Sequence, residues 1–148
     1  MTMPQIKAVV FDVDGVLFDT ERLTQQTWLT VSRELGWPQV GEAYLEFVGQ
    51  NRADIHQKMV DLFGEDFPRE HFMRTCSSYS QARMEREGVP MKPGVREILD
   101  FLKDRNIPTA LATSTSGERT ARRMEMTSLG PYFSAIVTGD QVEHSKPD

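Results

Sequence analysis

The stretch KAVVFDVDGVLFDTE, Lys7 to Glu21, decides how this chain is read. From Ile6 to Val13 the residues are nearly continuously apolar and rich in valine, the pattern of a strand covered on both faces in a parallel sheet. The strand runs out into two carboxylates two residues apart, Asp12 and Asp14, followed at once by Gly15. In open parallel sheets, ligands sit outside the carboxyl ends of the strands. Two acids at such a tip are therefore placed for chemistry, and the glycine lets the backbone approach a ligand and turn away. A third acid, Asp19, begins the exit from the turn and is read as fixing it rather than as reacting.

Outward from that stretch the pattern becomes helical. Trp28, Val31 and Leu35 fall at i, i+3 and i+7, before Gly36 and Pro38. Ile55, Met59, Leu62 and Phe63 make a second stripe, stopped by Gly64. Phe72, Cys76 and Tyr79 make a third, in a run reaching about Glu87. After Pro93-Gly94 the spacing of Val95, Ile98, Leu99 and Leu102 predicts an amphipathic helix. A strand follows over Ile107–Ala112, then a helix over 117–129 with Ala121, Met124 and Ser128 on one face, then a strand over Phe133–Val137. Without the helical block, the order alternates β-α-β-α-β. The predicted fold is α/β: a doubly wound parallel sheet interrupted by an all-helical insertion. The expected division is a core of residues 1–18 and 89–148, with residues 19–88 inserted.

Composition narrows the function. A net charge of −5 argues against nucleic acid or an anionic membrane as the main partner. Arg119, Arg122 and Arg123 lie at helical spacing with Glu118 and Glu125 and read as a solvated helix face. The one cysteine, Cys76, excludes an internal disulfide and reads as an unreactive thiol. No stretch resembles a signal peptide or a membrane span, so the chain reads as cytoplasmic. His56, His71 and His144 show no metal-ligand spacing. Oligomeric state is not legible.

Three strand ends carry reactive groups: Asp12 and Asp14 after the first, Thr113-Ser114-Thr115-Ser116 after the second, and Ser145-Lys146-Pro147-Asp148 beyond the third. These groups suit phosphoryl transfer. A carboxylate can attack phosphorus and form an aspartyl-phosphate. Two bare carboxylates would repel the phosphoryl group, and Mg²⁺ relieves this because it takes hard oxygen ligands and neutralises charge. Hydroxyls, backbone N–H groups and a lysine can hold the remaining oxygens. A second acid can protonate the leaving oxygen and later deprotonate water.

In this order and placement the chain resembles the haloacid dehalogenase superfamily. DVDGVLFDTE is similar to its first motif, LATST to its second, and SKPD to its third; the helical insertion resembles its cap. The nearest likeness is to the branch of β-phosphoglucomutase and small phosphatases. The resemblance implies Asp12 as nucleophile and magnesium ligand. It implies Asp14 as general acid/base, with its main-chain carbonyl a second magnesium ligand. Thr113 would hydrogen-bond the transferring group, the Ser114 N–H would lie nearby, and Lys146 would neutralise charge. VGQNR resembles the mutase branch's substrate loop, making Arg52 a candidate contact to a phosphate or sugar.

Two departures shape the expectation. Mutase-type members carry a histidine where this chain has Thr24, which tilts the reading toward a phosphatase of small phosphorylated metabolites such as sugar phosphates. The family's further magnesium-ligand acids come from a strand well beyond the lysine, so the chain is expected to be part of a longer protein and, alone, poorly stable and nearly inactive. A sugar-phosphate mutase is the enzymatic alternative. A receiver-like phospho-accepting domain, or a non-catalytic fragment, is the alternative of another class.

Overall fold

The computed structural model describes residues 3–50 and 52–143. The chain divides into two compact units: one from its beginning to Asp19 and again from Gly88 onward, the other Thr20–Glu87.

The first unit is an α/β core. Its sheet has three parallel strands in the order β1-β2-β3: Val9–Phe11, Thr109–Ala112 and Ala135–Val137. The register sets Phe11 beside Leu111, and Leu111 beside Ile136. Two helices numbered after those of the other unit, α5 (Val95–Asp104) and α6 (Gly117–Thr127), connect them. Both pack on the face carrying Phe11 and Leu111, where Val13, Leu17, Phe18, Val95, Leu99, Met124 and Leu129 are buried. This follows from strands added successively in one direction, because right-handed crossovers then fall on the same side.

The first strand was read as one built to be covered on both faces; among the described residues α5 and α6 cover one, and Val10 on the other is 65% exposed. One expectation changes. The buried stripe of α6 is Thr120, Met124 and Thr127, whereas Ala121 and Ser128 are exposed. Of the two buried threonines in that stripe, the Thr120 hydroxyl has no hydrogen-bond partner among the described residues, while that of Thr127 bonds back to the helix. Thr127 Oγ1 donates to the Arg123 carbonyl at 2.7 Å.

The second unit is helical: α1 (Thr20–Glu34), α2 (Pro38–Glu42), a 3₁₀ turn (Tyr44–Phe47), α3 (Arg52–Phe63) and α4 (Arg69–Glu87). Its core is aromatic. The Trp28 ring lies 5.2 Å from Tyr44, 5.3 Å from Phe47 and 5.1 Å from Phe72 between centroids. Such tilted and edge-on pairs add to the burial of large apolar area. Cys76 is buried among these residues, and burial pushes its thiol up to about 12, so it carries almost no thiolate at neutral pH. Tyr79, expected on the apolar stripe of α4, is 42% exposed and instead donates to Glu34 at 2.7 Å.

Candidate active site

Beyond Phe11 the backbone turns sharply. Gly15 has φ +79°, a conformation that suits glycine, and its N–H reaches the Phe18 carbonyl at 2.8 Å. Val13, Leu17 and Phe18 bury their side chains beneath this turn. The alternation leaves Asp12 exposed and Asp14 half-buried at the strand tip. The Val13 N–H donates to Asp12 Oδ1 at 2.8 Å. Asp19 closes the turn: its N–H donates to the Pro90 carbonyl at 2.7 Å, and its carboxylate lies 3.5 Å from Lys92 Nζ.

The end of β2 lies beside this turn. Thr113 is buried and extends the ladder, its N–H donating to the Val137 carbonyl at 3.0 Å. Its hydroxyl accepts from the Thr115 N–H at 3.1 Å, while Ser114 is exposed. The loop is held from the β3 side. Gly139 donates to the Thr115 carbonyl at 2.9 Å and packs directly on the Ser114 backbone, where a side chain has no room. Asp140 accepts the Gly117 N–H at the start of α6, 3.0 Å to each oxygen, and the Thr138 hydroxyl. Those bonds, Thr138's first and Gly117's second, hold the Asp140 carboxyl below the ordinary aspartate range.

Asp14 joins the two strand ends. Thr115 Oγ1 donates to Asp14 Oδ2 at 2.8 Å, and Arg123 Nη1 lies 2.8 Å from Oδ1. Arg123 is therefore not part of a solvated helix face. Its side chain is only 14% exposed, whereas Arg122, one residue earlier, is 53% exposed and lies 3.8 Å from Glu125. The sequence offered no local cue to this contact, because the partner stands 109 residues away.

Asp12, Asp14, Thr113 and Ser114 thus sit at the carboxyl ends of adjacent parallel strands. Lys146 and His144 lie outside the described residues. Arg52 belongs to the helical unit. It is exposed at the start of α3 and lines a shallow groove with His56, Gln57, Val60 and Arg69. Nε2 of His56 is buried without a hydrogen-bond partner. Among the described residues no three His, Cys, Asp or Glu side chains gather as a metal cluster, and no helix is long and apolar enough to cross a membrane.

A parallel sheet with carboxylates and hydroxyls gathered at its carboxyl end defines a Rossmann-like α/β protein with a polar site at the strand tips. The family model of haloacid dehalogenase-like hydrolases matches residues 9–148, and the chain belongs to that family. It is 33% identical over 143 residues to a phosphorylated carbohydrates phosphatase of Thermotoga maritima, covering 97% of this chain and 66% of that protein. It is 29% identical to a putative pyrophosphatase PpaX of Caldanaerobacter subterraneus, covering 97% of this chain and 63% of that one. Among solved structures, a putative β-phosphoglucomutase of Thermotoga maritima superposes with a TM-score of 0.74 at 32% identity, over 96% of this chain and 65% of that one. The chain spans a little under two thirds of the length of these relatives.

Proposed function

We propose that the chain carries the nucleophile and the acid/base of a magnesium-dependent phosphatase of small phosphorylated metabolites, sugar phosphates foremost. The observation that carries this reading is the meeting of Asp12, Asp14 and Thr113 at the ends of β1 and β2 in a chain of this family.

In the proposed reaction an Asp12 carboxylate oxygen attacks phosphorus and the bond to the leaving oxygen breaks. Asp14 gives that oxygen a proton. Asp14 then takes a proton from water, which attacks the aspartyl-phosphate and frees Asp12 and phosphate. The Thr113 hydroxyl and Ser114 N–H are assigned to the phosphoryl oxygens, and Lys146 to the charge between Asp12 and the phosphoryl group. The donor set at the β1 tip fits magnesium: an exposed carboxylate at Asp12 and the main-chain carbonyl of Asp14, both hard oxygens on one tight turn. When bound, the ion would neutralise charge on the transferring group. Arg52 is assigned to a phosphate or sugar; its groove in the helical unit, shared with His56 and Arg69, is basic enough to suit an anion.

Hydrolysis is favoured over mutase chemistry by Thr24. It stands where the mutase-like pattern has a histidine, and its hydroxyl bonds back to the Thr20 carbonyl at 2.8 Å. The test is a screen of phosphorylated metabolites with magnesium on the full-length protein, wild type beside Asp12→Asn. Turnover in the wild type and loss of about 10³-fold or more in the variant is the expected result. Equal turnover in both overturns the nucleophile assignment. A stable phosphoprotein without turnover, after acetyl phosphate treatment, overturns the phosphatase reading in favour of a phospho-accepting domain.

A further inference from the structure

We propose that Arg123 is a positioning residue for Asp14: together with Thr115 it fixes the carboxylate that handles the proton, and so tunes the step at the leaving oxygen. The inference rests on the acid/base reading of Asp14 given above.

Three elements meet at this carboxylate. Asp14 comes from the β1 tip, Thr115 from the end of β2 and Arg123 from the second turn of α6. Each Asp14 oxygen has its own donor at 2.8 Å, so the plane of the carboxylate is set as well as its place. A single hydrogen bond would leave the group free to swing about it.

Stability alone is a poor explanation for the pair. Withdrawing a guanidinium from water is costly, and apolar residues of similar volume often serve a fold as well as a buried ion pair does. Arg123 nevertheless points into the fold at 14% exposure, and its partner is the better exposed Asp14, at 39%. The cation is thus held beneath an acid that faces outward at the strand tips. The planar guanidinium suits this use, since its donors are fixed in direction where a lysine offers a mobile point charge.

The consequence is kinetic. An acid must meet the leaving oxygen within about 2.6–3.2 Å, and a misplacement of about 1 Å can cost about 10²-fold. An alkyl leaving group needs that proton; a nitrophenolate scarcely does. Loss of positioning therefore shows in the dependence on leaving group, which a merely structural role would not move.

The experiment compares the full-length wild type, Arg123→Met and Arg123→Lys on p-nitrophenyl phosphate and on the sugar phosphate chosen by the metabolite screen. Methionine keeps the buried stem of the side chain. For Arg123→Met, kcat/KM on the sugar phosphate is expected to fall by about 10–100-fold, and on the aryl ester by less than about threefold. Arg123→Lys should recover part of the sugar-phosphate rate. Equal losses on both esters overturn the proposal. A thermal cycle checks the contact without turnover: Arg123→Met should lower Tm by about 3 °C or more in the wild type and by less than about 1 °C in an Asp14→Ala background. Equal losses in the two backgrounds also overturn it. If the wild type hydrolyses neither ester, the phosphatase reading fails, and with it the kinetic role assigned to Arg123, whatever the thermal cycle gives.

Discussion

Replacing Gly139 by alanine tests how the third strand holds the loop at the end of the second. The backbone of Gly139 is not in the left-handed region, so the conformation itself accepts alanine. The obstacle is space. An added Cβ would collide with the Ser114 carbonyl oxygen and lie 2.7 Å from the Ser114 carbonyl carbon and 3.2 Å from its Cα. Carbon atoms pack best at about 3.5–4.0 Å, so one backbone must retreat by roughly 1 Å. Neither is free to do so. Gly139 is bonded to the Thr115 carbonyl at 2.9 Å, and Thr113 to the Val137 carbonyl at 3.0 Å. Overpacking of this kind costs about 1–3 kcal/mol. With a urea dependence of about 1–3 kcal/mol/M, the unfolding midpoint should fall by about 1 M. The same shift moves the loop bearing Thr113 and Ser114, so kcat/KM for the proposed phosphatase activity, read in the full-length protein, should drop by about 10²-fold. Circular dichroism in urea reads the first effect, and amide exchange at Gly139 and Gly117 reads the loosening directly. An alanine variant within about 0.5 kcal/mol of wild type, with both amides still protected, would refute the reasoning.

Further outcomes follow from the same geometry. Asp140 has a lowered pKa in the folded state through its bonds from Thr138 and Gly117. Its contribution is therefore complete above the unfolded carboxylate range near pH of about 4 and drains away as pH falls through the lower folded value. Asp140→Asn should flatten the acid limb of Tm against pH; an unchanged limb counts against the assignment. Trp28, 3% exposed amid three aromatic rings, should cost about 3–5 kcal/mol as Trp28→Ala, measured by denaturant unfolding of the helical unit. Cys76, with its thiol pushed up to about 12 by burial, should react with a disulfide reagent only after denaturation; rapid labelling of the native protein would contradict its placement.

The sequence alone determined the alternation of strands and helices, the helical run between Asp19 and Gly88, and the two acids at the tip of the first strand. These features are written locally. Strand composition, helical stripes and glycine at the turn each act within a few residues, so a linear reading reaches them. It also placed Asp12, Asp14, Thr113 and Ser114 at one sheet edge, because parallel strands bring their carboxyl ends together.

Tertiary structure decided what no local pattern encodes. Arg123 resembles its neighbours on α6 in sequence, and only the packing of that helix against the strand tips turns it toward Asp14. Gly139 looks like an ordinary loop glycine until the Ser114 backbone is seen against it. That α5 and α6 lie on one face of the sheet follows from strand order, not from either helix's own sequence. In each case the deciding partner lies far along the chain, where helical and strand periodicity carry no information about contact.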